Sequence, residues 1–192
     1  RGIITAEEVL KEGFVTPEGK GQSLVYNVTL RLKVKPVPIE GRKGFTVSLT
    51  LNRQVFRVGE NVEIRVKPTE DSYIYIFNIF QHDMVTLLIP NRHVTNNYVK
   101  ANTELVFPGA GLNKHGIGLA AFLPAGATRA TERVKVIATK KRIEFFDKDV
   151  KEAIFKEFDG RSDTLIVNIY QALALQEPAE WTEAVAVYEI RK

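Results

Sequence analysis

The sequence predicts a mainly β fold, an antiparallel β-sandwich with a short N-terminal helix and one or two helices near the C-terminus. Three observations predict it. Apolar and polar residues alternate through most of the chain, short apolar runs are punctuated by Gly and Pro, and only after residue 146 does the apolar spacing lengthen to that of a helix. At 192 residues the chain is long enough to bury a sizeable core.

"TAEEVLKEG" reads as the N-terminal helix, because Thr5 and Glu8 have capping-box spacing and Gly13 is a C-terminal stop. In "LVYNVTLRLKV", Leu24, Tyr26, Val28, Leu30, Leu32 and Val34 point one way and Asn27, Thr29, Arg31 and Lys33 the other, a strand with one wet face. "KPVPIEGRKG" reads as a linker, which divides the chain into residues 1–40, a helix and strand that would end a preceding domain, and a sandwich domain over 41–192. Phe45, Val47, Leu49 and Leu51 resume the alternation, and Val62, Ile64 and Val66 repeat it.

"YIYIFNIFQHDMVTLLIPN", residues 73–91, places two apolar runs around one polar break. The first run is apolar on both faces, as in a central strand, and residues 81–84 form a hairpin turn before "VTLLIP". "TELVFP", the loop "GAGLNKHGIG", "LAAFLP" and "RVKVIAT" continue the pattern of short strands. Phe146, Val150, Ile154 and Phe158 then recur every four positions, the stripe of an amphipathic helix. "SDTLIVNIYQALAL" reads as a second helix, with Leu165, Ile169 and Leu173 on one face, and "WTEAVAVYEI" as a final strand.

Charge is +4, from 27 Lys and Arg against 23 Asp and Glu. The densest basic groups, Arg129 to Arg142 and Arg31 to Lys35, alternate with apolar residues and read as solvated strand faces, so nucleic acid is not an expected partner. Without Cys there is no disulfide framework, thiolate metal site or Cys nucleophile. No apolar run approaches the roughly 20 residues that span a bilayer. The chain opens at Arg1 rather than Met, which reads as a fragment of a longer product.

Catalytic patterns fail one by one. "GQSLV" has Val25 where a nucleophile elbow needs glycine. "GIGLAA", residues 116–121, lacks the preceding strand and following helix that a dinucleotide fingerprint requires. His82, His93 and His115 form no metal-binding spacing, although all three fall in loops and could converge there, with Asp83, as a hydrolytic or metal site. Glu7 with Glu8, and Asp147 with Asp149, read as helix-end carboxylates. Tyr73, Tyr75, Phe77 and Phe80 read mainly as core, and Tyr98 and Trp181 as surface aromatics. No cofactor and no bound metal are expected.

The order of "FRVGENVEIRV", "YIYIFNIFQHDMVTLLIPN", "NNYVKANTELVFP" and "GATRATERVKVIAT" resembles the bacterial domain of unknown function 4384, over roughly residues 45–140. His82 and Asp83 stand where that family prefers a Gly-containing turn. The resemblance implies a β-sandwich module of exported or envelope-associated bacterial proteins, with no catalytic residues to carry over. Residues 1–40 faintly resemble the end of an envelope-lipoprotein α/β module.

The expectation is therefore a non-enzymatic binding or interaction module, extracytoplasmic in the periplasm or cell envelope, whose partner is a protein or other envelope component. Its contact surface is expected in the two loops that hold Asn91, Arg92, His93, Asn96, Asn97 and Tyr98, and Asn113 and His115. The alternatives are an enzyme using the loop histidines and a nucleic-acid-binding module.

Overall fold

The computed structural model describes residues 2–15, 25–36, 44–80, 85–143, 156–158 and 163–192. Its centre is a seven-stranded sheet built on β6 (Ser72–Ile79). On one side of β6 runs β7 (Val85–Ile89) and then the short edge strand β11 (Lys156–Phe158); on the other run β10 (Arg129–Thr139), β12 (Trp181–Arg191) and β4 (Val55–Arg57). β8 (Tyr98–Val99) pairs with the start of β6, and β4 lies parallel to β12 while the other pairings are antiparallel. A second sheet holds β3 (Val47–Leu51), β5 (Ile64–Pro68) and β9 (Leu105–Phe107), with β9 at its edge.

The two sheets bury one core between them. Val47, Ile64, Val66 and Phe107 of the small sheet meet Ile74, Ile76, Val134, Val136 and Ile190 of the large one. The opposite face of the large sheet is covered by α2 (Asp163–Ala174), whose Ile169 and Leu173 pack on Tyr75, Phe77, Leu87, Ile137 and Trp181. β6 is thus sandwiched between two apolar layers, which is why its sequence is apolar on both faces. A bulge in β7 adds to this: Ile76 pairs with Ile89 but Phe77 with Leu87, so Leu88 and Ile89 both join the inter-sheet core while Val85 and Leu87 face the helix.

The mainly β sandwich, the central strand and the second C-terminal helix are as the sequence predicts. Four local readings are corrected. The N-terminal segment is not a helix but β1 (Gly2–Val15), paired antiparallel with β2 (Val25–Pro36). A non-local ladder overrides the local capping signal, and Glu7 and Glu8 lie along a strand, not at a helix end. The apolar row of β2 is not inward: Tyr26, Val28, Leu30, Leu32 and Val34 are each 42–51% exposed. Residues 156–158, placed at the end of an amphipathic helix, instead extend the large sheet, because the free side of β7 offers Val85, Thr86 and Leu87 as ladder partners. "LAAFLP" forms no strand beyond a bridge from Ala120 to Asn61, although Val62 donates to the Leu119 carbonyl and Ala121 to that of Glu60. The remainder of that amphipathic stretch, the "QHDM" turn and most of the linker lie outside the described residues.

Candidate functional site

The loop between β7 and β8 is organised by Asn91, which is buried. Its Nδ2 donates to the Leu88 carbonyl at 2.6 Å, and its Oδ1 accepts from the backbone N–H groups of His93 and Val94, each at 2.8 Å. Asn and Asp side chains close turns this way by replacing a backbone acceptor. The turn presents His93 to solvent and folds Val94 back against the core.

The loop after β9 contains a short helix, α1 (Ala110–Lys114), where the sequence predicts irregular chain. Its buried Leu112 joins the inter-sheet core. It ends in a Schellman motif, in which Ile117 donates to the Leu112 carbonyl and Gly116 to that of Asn113, both at 3.1 Å, with Gly116 at φ +69°. That stop fixes His115 on the exposed end of the helix.

Between these two constructions lies a cleft of about 410 Å3. Ile89, Val94, Leu105 and Leu112 supply apolar lining, the edge strand β9 forms one wall, and among the described residues His93 and His115 are the titratable ones that line it. No carboxylate lines it among the described residues. The exposed Arg92 and Lys114 are the histidines' neighbours in sequence, and the nearby Glu104 is engaged by Arg65 at 2.9 Å.

The structure thus unites two of the expected surface residues and separates the others. Asn113 lines a second cleft of about 410 Å3 with Asn52, Asn61 and Glu63, where the Asn52 side chain is already engaged by the backbone of Asn61 and Glu63. Asn97 is buried and donates to the Ile74 carbonyl at 3.0 Å, a role in holding the chain to β6. Asn96 is exposed and accepts from the Tyr98 N–H. Tyr98 donates to Asp71 at 2.6 Å, a bond that holds the Asp71 carboxyl below the usual range, and its ring meets Tyr73 edge-on. Trp181, read as a surface aromatic, is buried under α2. His82 and Asp83 lie outside the described residues, and among the described residues no three His, Cys, Asp or Glu side chains are grouped to hold a metal.

Sequence reasoning missed two buried polar clusters. Glu132 accepts through Oε2 from Asn78 Nδ2 at 2.9 Å and from the Tyr188 hydroxyl, and burial pushes both its carboxyl and the Tyr188 phenol up from their ordinary values. Thr86, opposite Asn78 in the β6–β7 register, has a buried hydroxyl with no partner among the described residues. On the helix-covered face, Tyr170 of α2 accepts from Lys135 and donates to Glu183 at 2.9 Å, while Lys135 pairs with Glu183 at 3.0 Å. The alternation of β10 marks positions 132 and 135 as opposite faces, but nothing local marks Glu132 as buried or Lys135 as half-buried. Arg129 of β10 pairs with Glu189, and past the end of the strand Lys140 pairs with Glu70 and Lys141 with Glu180.

Both walls of the first cleft and the central strands lie in one continuous segment. Residues 55–142 match the family model described as Domain of unknown function (DUF4384). The match falls on the part of the chain in which the sequence shows that resemblance, and it takes in β4 to β10 and α1. The chain has no match among the curated proteins.

Proposed function

We propose that the protein is a non-enzymatic binding module of a bacterial exported or envelope protein, and that the cleft between the Asn91 turn and α1 is where it binds. The observation that carries this reading is the convergence of two separate loops, each locked by its own hydrogen bonds, on one concave apolar surface with polar groups at its rim. Binding sites combine these features, an apolar floor with a few fixed polar groups on a rigid scaffold. The envelope setting rests on the resemblance alone. Among the described residues, no nucleophile or acid lines the cleft beside the two imidazoles, which supports contact over chemistry.

The test is capture from a bacterial envelope extract with the intact chain and with a His93→Ala/His115→Ala variant. Both side chains are exposed, so the variant keeps its fold. A component retained by the intact chain and lost by the variant is the expected result. Equal retention by both would remove the cleft as the binding surface, and turnover of an ester or peptide by the intact chain that the variant lacks would make the module an enzyme.

A further inference from the structure

The lining of the cleft also indicates what it holds, an inference that rests on the binding reading above. Its floor is aliphatic, contributed by Ile89, Val94, Leu105 and Leu112. Each is anchored by the inter-sheet core, Ile89 and Leu112 as buried members and Val94 and Leu105 packed against it. The floor is therefore preformed, and apolar matter placed on it removes solvent chiefly from the half-buried Val94 and Leu105, which the fold leaves partly open.

The rim differs in kind from the floor. Among the described residues, His93 and His115 are the lining side chains that can carry charge, and any charge they carry is positive. The exposed cations Arg92 and Lys114 immediately precede them in the chain, while Glu104 is held by Arg65. An amine would add one more base to a lining whose ionisable groups are both bases, and a neutral polar group would accept an imidazole N–H without complementing the adjacent cations Arg92 and Lys114. A carboxylate complements both, since hydrogen bonds between ionised partners are the stronger class.

We propose that the cleft binds a small amphiphile, an aliphatic chain seated on Ile89, Val94, Leu105 and Leu112 with its carboxylate held at the rim by His93 and His115. The volume of about 410 Å3 lies within the range of small-molecule sites. Size and charge then set the selectivity. Each methylene added within the cleft tightens binding about fourfold, the factor that follows from the transfer of one CH2 out of water.

The experiment is a calorimetric titration of the full chain at about pH 6. The probes are hexanoate, octanoate and decanoate, with octanol and octylamine for comparison. Saturable 1:1 binding of octanoate, tighter with each methylene and at least about tenfold stronger than octanol or octylamine, is the expected result. In His93→Gln/His115→Gln the preference of octanoate over octanol is lost while octanol binding is unchanged. A second variant, Leu105→Gln, weakens all three eight-carbon probes together. Octanol equal to octanoate, retention of the preference in the histidine variant, or no binding of any probe overturns the proposal. If the carboxylates do not bind but the envelope component is still captured through His93 and His115, the amphiphile is wrong and the binding cleft stands. If neither occurs, both are wrong.

Discussion

Glu132 is the most exacting residue on which to test the packing described here, because a carboxyl group only 4% exposed is held by two side-chain donors from two other strands. Glu132→Ala leaves Asn78 Nδ2 without its acceptor and the Tyr188 hydroxyl with only Asn78 Oδ1, 3.4 Å away. An orphaned buried donor costs about 1–3 kcal/mol, which sets the expected loss. Glu132→Gln keeps the volume and one acceptor oxygen but cannot ionise, and here the sign can be worked out. Burial raises the folded-state pKa of Glu132, so the neutral acid is favoured by folding. The stability this contributes is present in full below the unfolded value of about 4.3 and is lost as pH rises through the folded value. Because Gln does not titrate, the other carboxylates cancel in the comparison, and the destabilisation by Glu132→Gln is largest in acid and shrinks as pH rises. Urea unfolding of wild type and both variants across that range reads it directly. A Gln difference that stays flat with pH, or an Ala cost under about 1 kcal/mol, would refute the assignment of a buried carboxyl shared by Asn78 and Tyr188.

Other perturbations report on other parts of the structure. Leu173→Ala removes a fully buried contact between α2 and the large sheet and is expected to cost about 3–5 kcal/mol in thermal or urea unfolding; a loss below about 1 kcal/mol would mean that the helix does not cover that face. Asn91→Ala strips the side-chain partner from the Leu88 carbonyl and the His93 N–H, while the Val94 N–H keeps only the backbone carbonyl of residue 91 at 3.2 Å. It should lower stability by about 2–3 kcal/mol and weaken octanoate binding, whereas Asn96→Ala should leave the binding unchanged. Gly116→Ala meets no neighbouring atom within 4 Å, so its expected cost of about 1 kcal/mol is purely that of a side chain at φ +69°. Loss of α1 protection in hydrogen exchange would accompany it, and an unchanged unfolding midpoint would contradict the Schellman assignment.

The strand pattern was legible because alternation and two-sided apolarity report burial directly, as in β6 and β5. α2 was legible for the same reason, since its apolar spacing matches the helical turn. β1 was not, because Thr5, Glu8 and Gly13 form a coherent local helix signal and only the distant β2 outweighs it. Half of the cleft could also be read. Histidines in two Gly- and Asn-rich loops marked the rim, and Gly116, three residues beyond Asn113, was available as a helix stop that would have located α1. The floor was hidden, because Leu105 looks like any core leucine until the sheet edge at β9 leaves it partly uncovered, and Leu112 is placed beside it only by α1. Asn91 and Asn97 carry the opposite lesson: polar loop residues that look like contact groups serve the backbone instead.

The exposed apolar row of β2 is the surface that competes with the cleft as a place of contact, and one measurement separates them. Hydroxyl-radical footprinting of the chain, alone and with the component captured from envelope extract, reads both at once. The account predicts protection of His93, Leu105 and His115 with no change at Tyr26, Leu30 and Leu32. Protection along β2 with the cleft residues unchanged would contradict it and move the binding surface to the N-terminal hairpin.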